Sequence, residues 1–161
     1  MKLNRMILAL AALALLACNK EEKNELPVAA AADYKGLVSV DGSNGKFELE
    51  DVEVNFTPSE DGKTATITMY KVSFAARMPR MDVTIPDVKL TSTETGILLA
   101  CDNVVPKALG GDFTNFTVYE MTGTVEEDEI AFSMKLGTIP ATYRGIKQVA
   151  QPESETEPAA K

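Results

Sequence analysis

Residues 63–74 read KTATITMYKVSF, and this stretch decides the fold. Ala65, Ile67 and Met69 alternate with threonines. A period of two, with β-branched residues on the polar side, predicts a strand with one buried and one solvated face. The alternation slips at Tyr70-Lys71 and resumes at Val72 and Phe74. Such a slip predicts a β-bulge, which bends a strand and adds twist.

The same pattern extends in both directions. Upstream, Lys46 to Phe56 carries Phe47 and Leu49 on one parity and Val52, Val54 and Phe56 on the other, so a second bulge is expected near Glu50-Asp51. Before it, Tyr34 to Val40 ends at Asp41-Gly42-Ser43-Asn44-Gly45, a turn-forming run. Pro58 to Gly62 is another turn. Downstream, Met81, Val83 and Ile85 alternate, Pro86 interrupts, and Val88 and Leu90 resume. Proline donates no ladder bond, so Pro86 marks a bulge or an edge. Thr95–Cys101, Phe113–Thr124, Ile130–Leu136 and Thr138–Lys147 complete the strands, with VVPKALGG (104–111) as a loop and Glu126-Glu127-Asp128 as a charged turn. About eight strands joined by short turns predict an all-β, antiparallel up-and-down barrel over 33–147. Two short echoes run through it: Thr84-Ile85-Pro86 with Thr138-Ile139-Pro140, and Tyr34-Lys35-Gly36-Leu37 with Tyr143-Arg144-Gly145-Ile146.

The start of the chain is of another kind. Lys2 and Arg5 precede an apolar run from Met6 to Ala17 that is too short for a spanning helix, which takes about twenty residues. A basic start, a short apolar stretch and small residues at its end predict a signal peptide over 1–17. Leu15-Leu16-Ala17-Cys18 resembles the bacterial lipobox. The resemblance implies cleavage between Ala17 and Cys18, and lipid on the Cys18 sulfur and on its new amino group. Two or more acyl chains anchor stably where one does not. Residues 18–32 then read as a lipidated cysteine and flexible tether, and 148–161, rich in Pro, Glu and Ala, as a disordered acidic tail. Lys20-Glu21-Glu22 resembles the lysine-plus-acidic signal of surface-displayed lipoproteins, so the expected location is the outer membrane, surface-exposed, with the periplasmic side as the alternative.

Composition narrows the chemistry. The chain of 161 residues has 24 acids against 16 Lys and Arg, a net charge of −8. The leader holds two of the positive charges, so the remainder is more acidic still. Nucleic-acid binding draws its affinity from phosphate neutralisation, so nucleic acid is excluded as a partner. There is no histidine, and beyond Cys18 the one cysteine is Cys101, which closes the apolar run 97–100. Zinc sites and base-activated thiol chemistry lack their residues. The carboxylates at Glu48, Glu50, Asp51 and Glu53 read as a solvated strand face, and those at 126–129 as a turn. No phosphate loop or Ser/His/Asp set can be assembled. The expectation is a protein without catalysis, cofactor or metal.

YKGLVSV (34–40), MDVTIPDVKL (81–90) and SMKLGTIPATYRG (133–145), behind a lipobox, resemble the calycin-like β-barrel lipoproteins of Bacteroidetes. The resemblance covers 33–147 and implies a lipocalin-like barrel on a membrane tether, with no catalytic residues to carry over. The chain has no tryptophan and so lacks the Gly-x-Trp signature of true lipocalins. Two functions stay open. One is a module that holds a small apolar ligand or glycan in the barrel, lined by Met69, Met81, Phe132 and Met134. The other is a protein-interaction or structural envelope module with a packed barrel and an external patch at Arg77-Met78-Pro79-Arg80-Met81, locally basic in an acidic chain.

Overall fold

The structure, a computed structural model, describes residues 26–42, 45–75 and 77–149. The expected signal peptide, Ala17, Cys18, the first part of the tether and residues 150–161 lie outside the described residues. Ten strands follow in chain order: β1 Ala32–Gly42, β2 Gly45–Pro58, β3 Thr64–Val72, β4 Met81–Ser92, β5 Ile97–Cys101, β6 Lys107–Ala108, β7 Gly111–Asp112, β8 Val118–Val125, β9 Glu129–Leu136 and β10 Ile139–Lys147. Eight of them pair antiparallel in the order β1-β2-β3-β4-β5-β8-β9-β10, and β10 returns to β1. This is the closed up-and-down barrel that the alternation predicts. The two-stranded β6–β7 hairpin leans on β4, at Val83–Ala108 and Thr84–Lys107.

The predicted phase slips are bulges. The register breaks between Leu49 and Val52 opposite Gly36–Val38, between Met69 and Val72, and between Ile85 and Val88. Asp51, Lys71 and Asp87 hold φ of 58°, 49° and 55° there. Left-handed backbone is uncommon for residues other than glycine, so each needs local support. The Lys71 amide gets it by donating to Asp82 Oδ1 at 2.9 Å. A fourth bulge follows the same design: Glu120 has φ 49°, and its amide donates to Asp102 Oδ1 at 3.0 Å.

Residues 104–117 differ from the sequence expectation. The loop contains the β6–β7 hairpin, and Phe113–Phe116 is not strand but leads into a 3-10 turn at Thr114–Phe116, so β8 starts only at Val118. The cause is aromatic packing. Phe113 stacks on Phe116 at 4.6 Å between ring centroids, and Phe116 meets buried Phe74 at 6.3 Å. The three rings gather at one end of the barrel, a grouping that strand alternation would prevent.

One apolar cluster fills the interior. Tyr34, Phe56, Ile67, Met69, Ile85, Leu99, Met121, Ile130 and Leu136 are all essentially inaccessible. Burying side chains of this size contributes roughly 1.5–3 kcal/mol each. The Tyr-x-Gly echo has a structural meaning: Gly36 and Gly145 face each other across β1 and β10. A Cβ on Gly36 would overlap the Arg144 carbonyl oxygen, so the strands come this close only at glycine. The Tyr143 ring lies over Gly145 and fills the space a side chain would take. Its hydroxyl donates to the Val52 carbonyl at 3.1 Å, across the interior.

Because the strands run up and down, the ends of the barrel sort the connections. The proximal rim carries residues 26–31, the turns 59–63, 93–96 and 126–128, and residues 148–149. Ser92 Oγ holds the Pro27 carbonyl at 2.8 Å, and the Gln148 amide donates to the Asp33 carbonyl at 2.7 Å. Both flanking segments therefore leave the domain from the same rim. The distal rim carries 73–80, 102–117 and 137–138.

Candidate functional site

The six candidate residues expected from sequence, four to line the interior and Arg77 and Arg80 on the external patch, divide between inside and outside. Met69, Met81, Phe132 and Met134 point into the packed interior, at 0–7% exposure. Arg77 and Arg80 are exposed on the distal rim. They therefore form no single site. Phe132 packs against the Tyr143 ring at 5.2 Å. None of the four clefts described below is lined by Met69 or Met134.

Segment 73–80 is pinned from beneath. Ser73, itself buried, donates its hydroxyl toward the carbonyls of Ala75 (2.7 Å) and Met78 (3.0 Å). Phe74 plugs the barrel end and Met78 packs half-buried against the core. Arg77, Pro79 and Arg80 are thereby left in solvent. The segment ends between two clefts. On one side Arg80 joins Glu50, Asp51, Glu53, Tyr70 and Lys71 around a polar cleft of about 90 Å³ between β2 and β3. On the other, Met81, Asp82, Thr84 and Lys107 line about 370 Å³ beneath the β6–β7 tip. Leu109 stands at that tip, 80% exposed.

Two further concavities were not apparent from the sequence. The larger, about 600 Å³, lies on the outer face of β1, β10, β9 and β8. Register places Ser39, Thr142, Ser133 and Thr122 in one row across it, and Leu37, Arg144, Ala131 and Thr124 in the next. The row of hydroxyls gives the groove polar hydrogen-bonding groups, and the methyls and Leu37 give it an apolar floor. Ion pairs flank it: Arg144 Nε–Glu129 Oε1 at 2.8 Å and Lys135 Nζ–Glu120 Oε2 at 2.7 Å. These outward positions carry small side chains where Lys and Glu would be usual, and that was the signal in the sequence. The last recess, about 410 Å³, is at the proximal rim between Pro27, Val28 and Ala30 and the ends of β5, β8 and β10. Tyr34 lines it, and burial, followed by the Asp128 carboxylate, holds its phenol above the usual range.

Burial pushes the Cys101 thiol up to about 11, with Asp102 adding to the effect, so it is protonated at neutral pH. Among the described residues no group of three or more Cys, Asp and Glu is placed to hold a metal ion. Comparison of the chain with protein-family models, with curated proteins and with solved structures finds no match.

Proposed function

We propose that this chain is a calycin-like lipoprotein, anchored in the outer membrane through Cys18, whose barrel is a non-catalytic interaction module with no internal ligand. The observation that carries the second half of this reading is the filled interior: the methionines expected to line a cavity are core. The lipobox-like run Leu15-Leu16-Ala17-Cys18 supports the first half. An anchor attached ahead of Leu26 puts the proximal rim toward the membrane, and Arg77, Arg80 and Leu109 then face outward on the distal rim. A second reading keeps a small ligand but moves it outside the barrel, into the hydroxyl-lined groove on β1, β10, β9 and β8, whose volume suits a short glycan.

One experiment tests both halves: native and denaturing mass spectrometry of the protein released gently from its own host. The expected mass is the chain from Cys18 plus acyl groups, with nothing else retained. An unprocessed, unacylated chain overturns the anchor, and Cys18→Ala then leaves membrane fractionation unchanged. A reproducible added mass, other than that of a second copy, that survives gentle release but not denaturation overturns the ligand-free reading.

A further inference from the structure

The barrel wall has a break. β2 pairs with β3 only from Val54 to Pro58, opposite Met69 to Ala65. From Gly45 to Glu53, β2 has β1 on one side and, among the described residues, no strand on the other. No backbone hydrogen bond from the surrounding loops reaches this stretch among the described residues. In a ladder, alternate residues turn their N–H and C=O groups away from the existing partner. From Gly45 to Leu49, short of the Val52 carbonyl that Tyr143 already engages, β2 therefore presents among the described residues a free row of donors and acceptors, the template that an added strand uses.

The side chains say which strand. The bulge at Glu50-Asp51 ends the straight edge, leaving Gly45-Lys46-Phe47-Glu48-Leu49. Charges on an edge normally repel other strands. Here the signs alternate about Phe47, and the Lys46 and Glu48 side chains already lie together, Nζ to Oε1 at 2.6 Å, on the exposed face. A copy of the same strand, laid antiparallel with Phe47 opposite Phe47, sets Lys46 against Glu48 of the second copy, twice. Cross-strand opposite charges stabilise such a pair and like charges oppose it. The chain is otherwise acidic, so most approaches of two copies are repulsive. We infer that the distal edge of β2 pairs with the same edge of a second copy, in an antiparallel two-fold arrangement centred on Phe47. This rests on the interaction reading above and names its partner.

The test is charge reversal on the full chain in detergent, read by native mass spectrometry with one form ¹⁵N-labelled. Lys46→Glu alone and Glu48→Lys alone each place like charges opposite one another twice. Each variant should dimerise at least about tenfold more weakly than the wild type. Mixed in equal amounts, the two variants again face opposite charges, and the dimer should return as a species of mixed mass. The pair within each strand stays like-charged in the mixture, so recovery cannot come from the monomer. Both side chains are largely exposed, so the variants should keep the fold. A wild type that stays monomeric to about 100 μM overturns the inference. So does a dimer indifferent to either reversal, or a mixture that stays monomeric. Retained ligand mass alongside a charge-dependent dimer would sink the ligand-free reading and leave this one standing.

Discussion

Tyr143→Phe removes one buried hydroxyl and should change both the stability and its pH dependence. The hydroxyl donates to the Val52 carbonyl at 3.1 Å in a residue only 2% exposed. Losing that bond leaves the carbonyl without this donor, at a cost of about 1–2 kcal/mol at neutral pH. Burial first, and the neighbouring Tyr34 second, hold the Tyr143 phenol well above its ordinary value of 10.0. The sign follows from proton counting. Between the unfolded and folded values the unfolded chain has released this proton and the native chain has kept it. The wild type is therefore fully stabilised below about pH 10 and loses about 1.4 kcal/mol per pH unit above it from this one group. The phenylalanine variant has no such proton to release. Tyr34 and Cys101 contribute alkaline loss too, but equally to both chains, so they cancel in the difference. The stability gap should therefore close and reverse near pH 11, about one unit beyond the unfolded phenol value. Urea midpoints of both proteins between pH 7 and 11.5, followed by far-ultraviolet circular dichroism, measure it. A gap that stays constant with pH would falsify the claim that the fold keeps Tyr143 neutral. No gap at pH 7 would remove the Val52 bond from the account of stability.

Two further outcomes follow from the packing. Gly36→Ala drives a methyl into the Arg144 backbone, which cannot swing aside as a side chain can, so a loss of about 2–3 kcal/mol or more is expected in thermal melts. A variant that melts like the wild type would mean that β1 and β10 are not so close. Cys101 is buried with its Sγ 3.5 Å from Met121 Sδ and its thiol held up to about 11. At pH 8 roughly one thiol in a thousand is ionised, so maleimide labelling should proceed only as fast as the barrel opens. Labelling that outpaces denaturant-measured opening would place the thiol at the surface.

Parts of this architecture can be read from one strand at a time, and those parts were legible. Bulges at Asp51, Lys71 and Asp87 show as slips because the strands around them alternate cleanly. The bulge at Glu120 was hidden because Phe113 to Thr124 reads as one aromatic strand, whereas Phe113 and Phe116 leave the ladder to pack on Phe74. The Tyr-x-Gly echo was visible, but its meaning needed the β1–β10 closure, a contact between the two ends of the domain. The outer groove needed more: its rows are assembled from four strands, and no local pattern sets Ser39 beside Thr142 and Ser133. Arg77 and Met81 were singled out together by proximity in sequence, yet Arg77 stands exposed on the distal connection while Met81, the first residue of β4, turns into the core.

The free edge of β2 comes from the same devices that close the barrel. An eight-stranded wall must curve, and bulges supply curvature by inserting a residue and raising local twist. On β2 and β3 the two bulges lie close together, at Glu50-Asp51 and Tyr70-Lys71, just beyond the last paired residues Val54 and Met69. Two facing strands that both bend past the same point cannot keep a common ladder. They separate, and the gap fills with Lys71, Arg80 and the carboxylates of Glu50, Asp51 and Glu53. β2 nevertheless continues to Gly45, because β1 still pairs with it on the other side. An unmatched strand end of this kind persists in a native protein only if its charges keep it soluble or a partner covers it. The alternating Lys46 and Glu48 satisfy the first condition against strands in general and the second against a copy of themselves. The phase slips in KTATITMYKVSF and in Lys46 to Phe56 thus bear on more than curvature: they fix where the wall opens, and so where this chain has backbone left to offer.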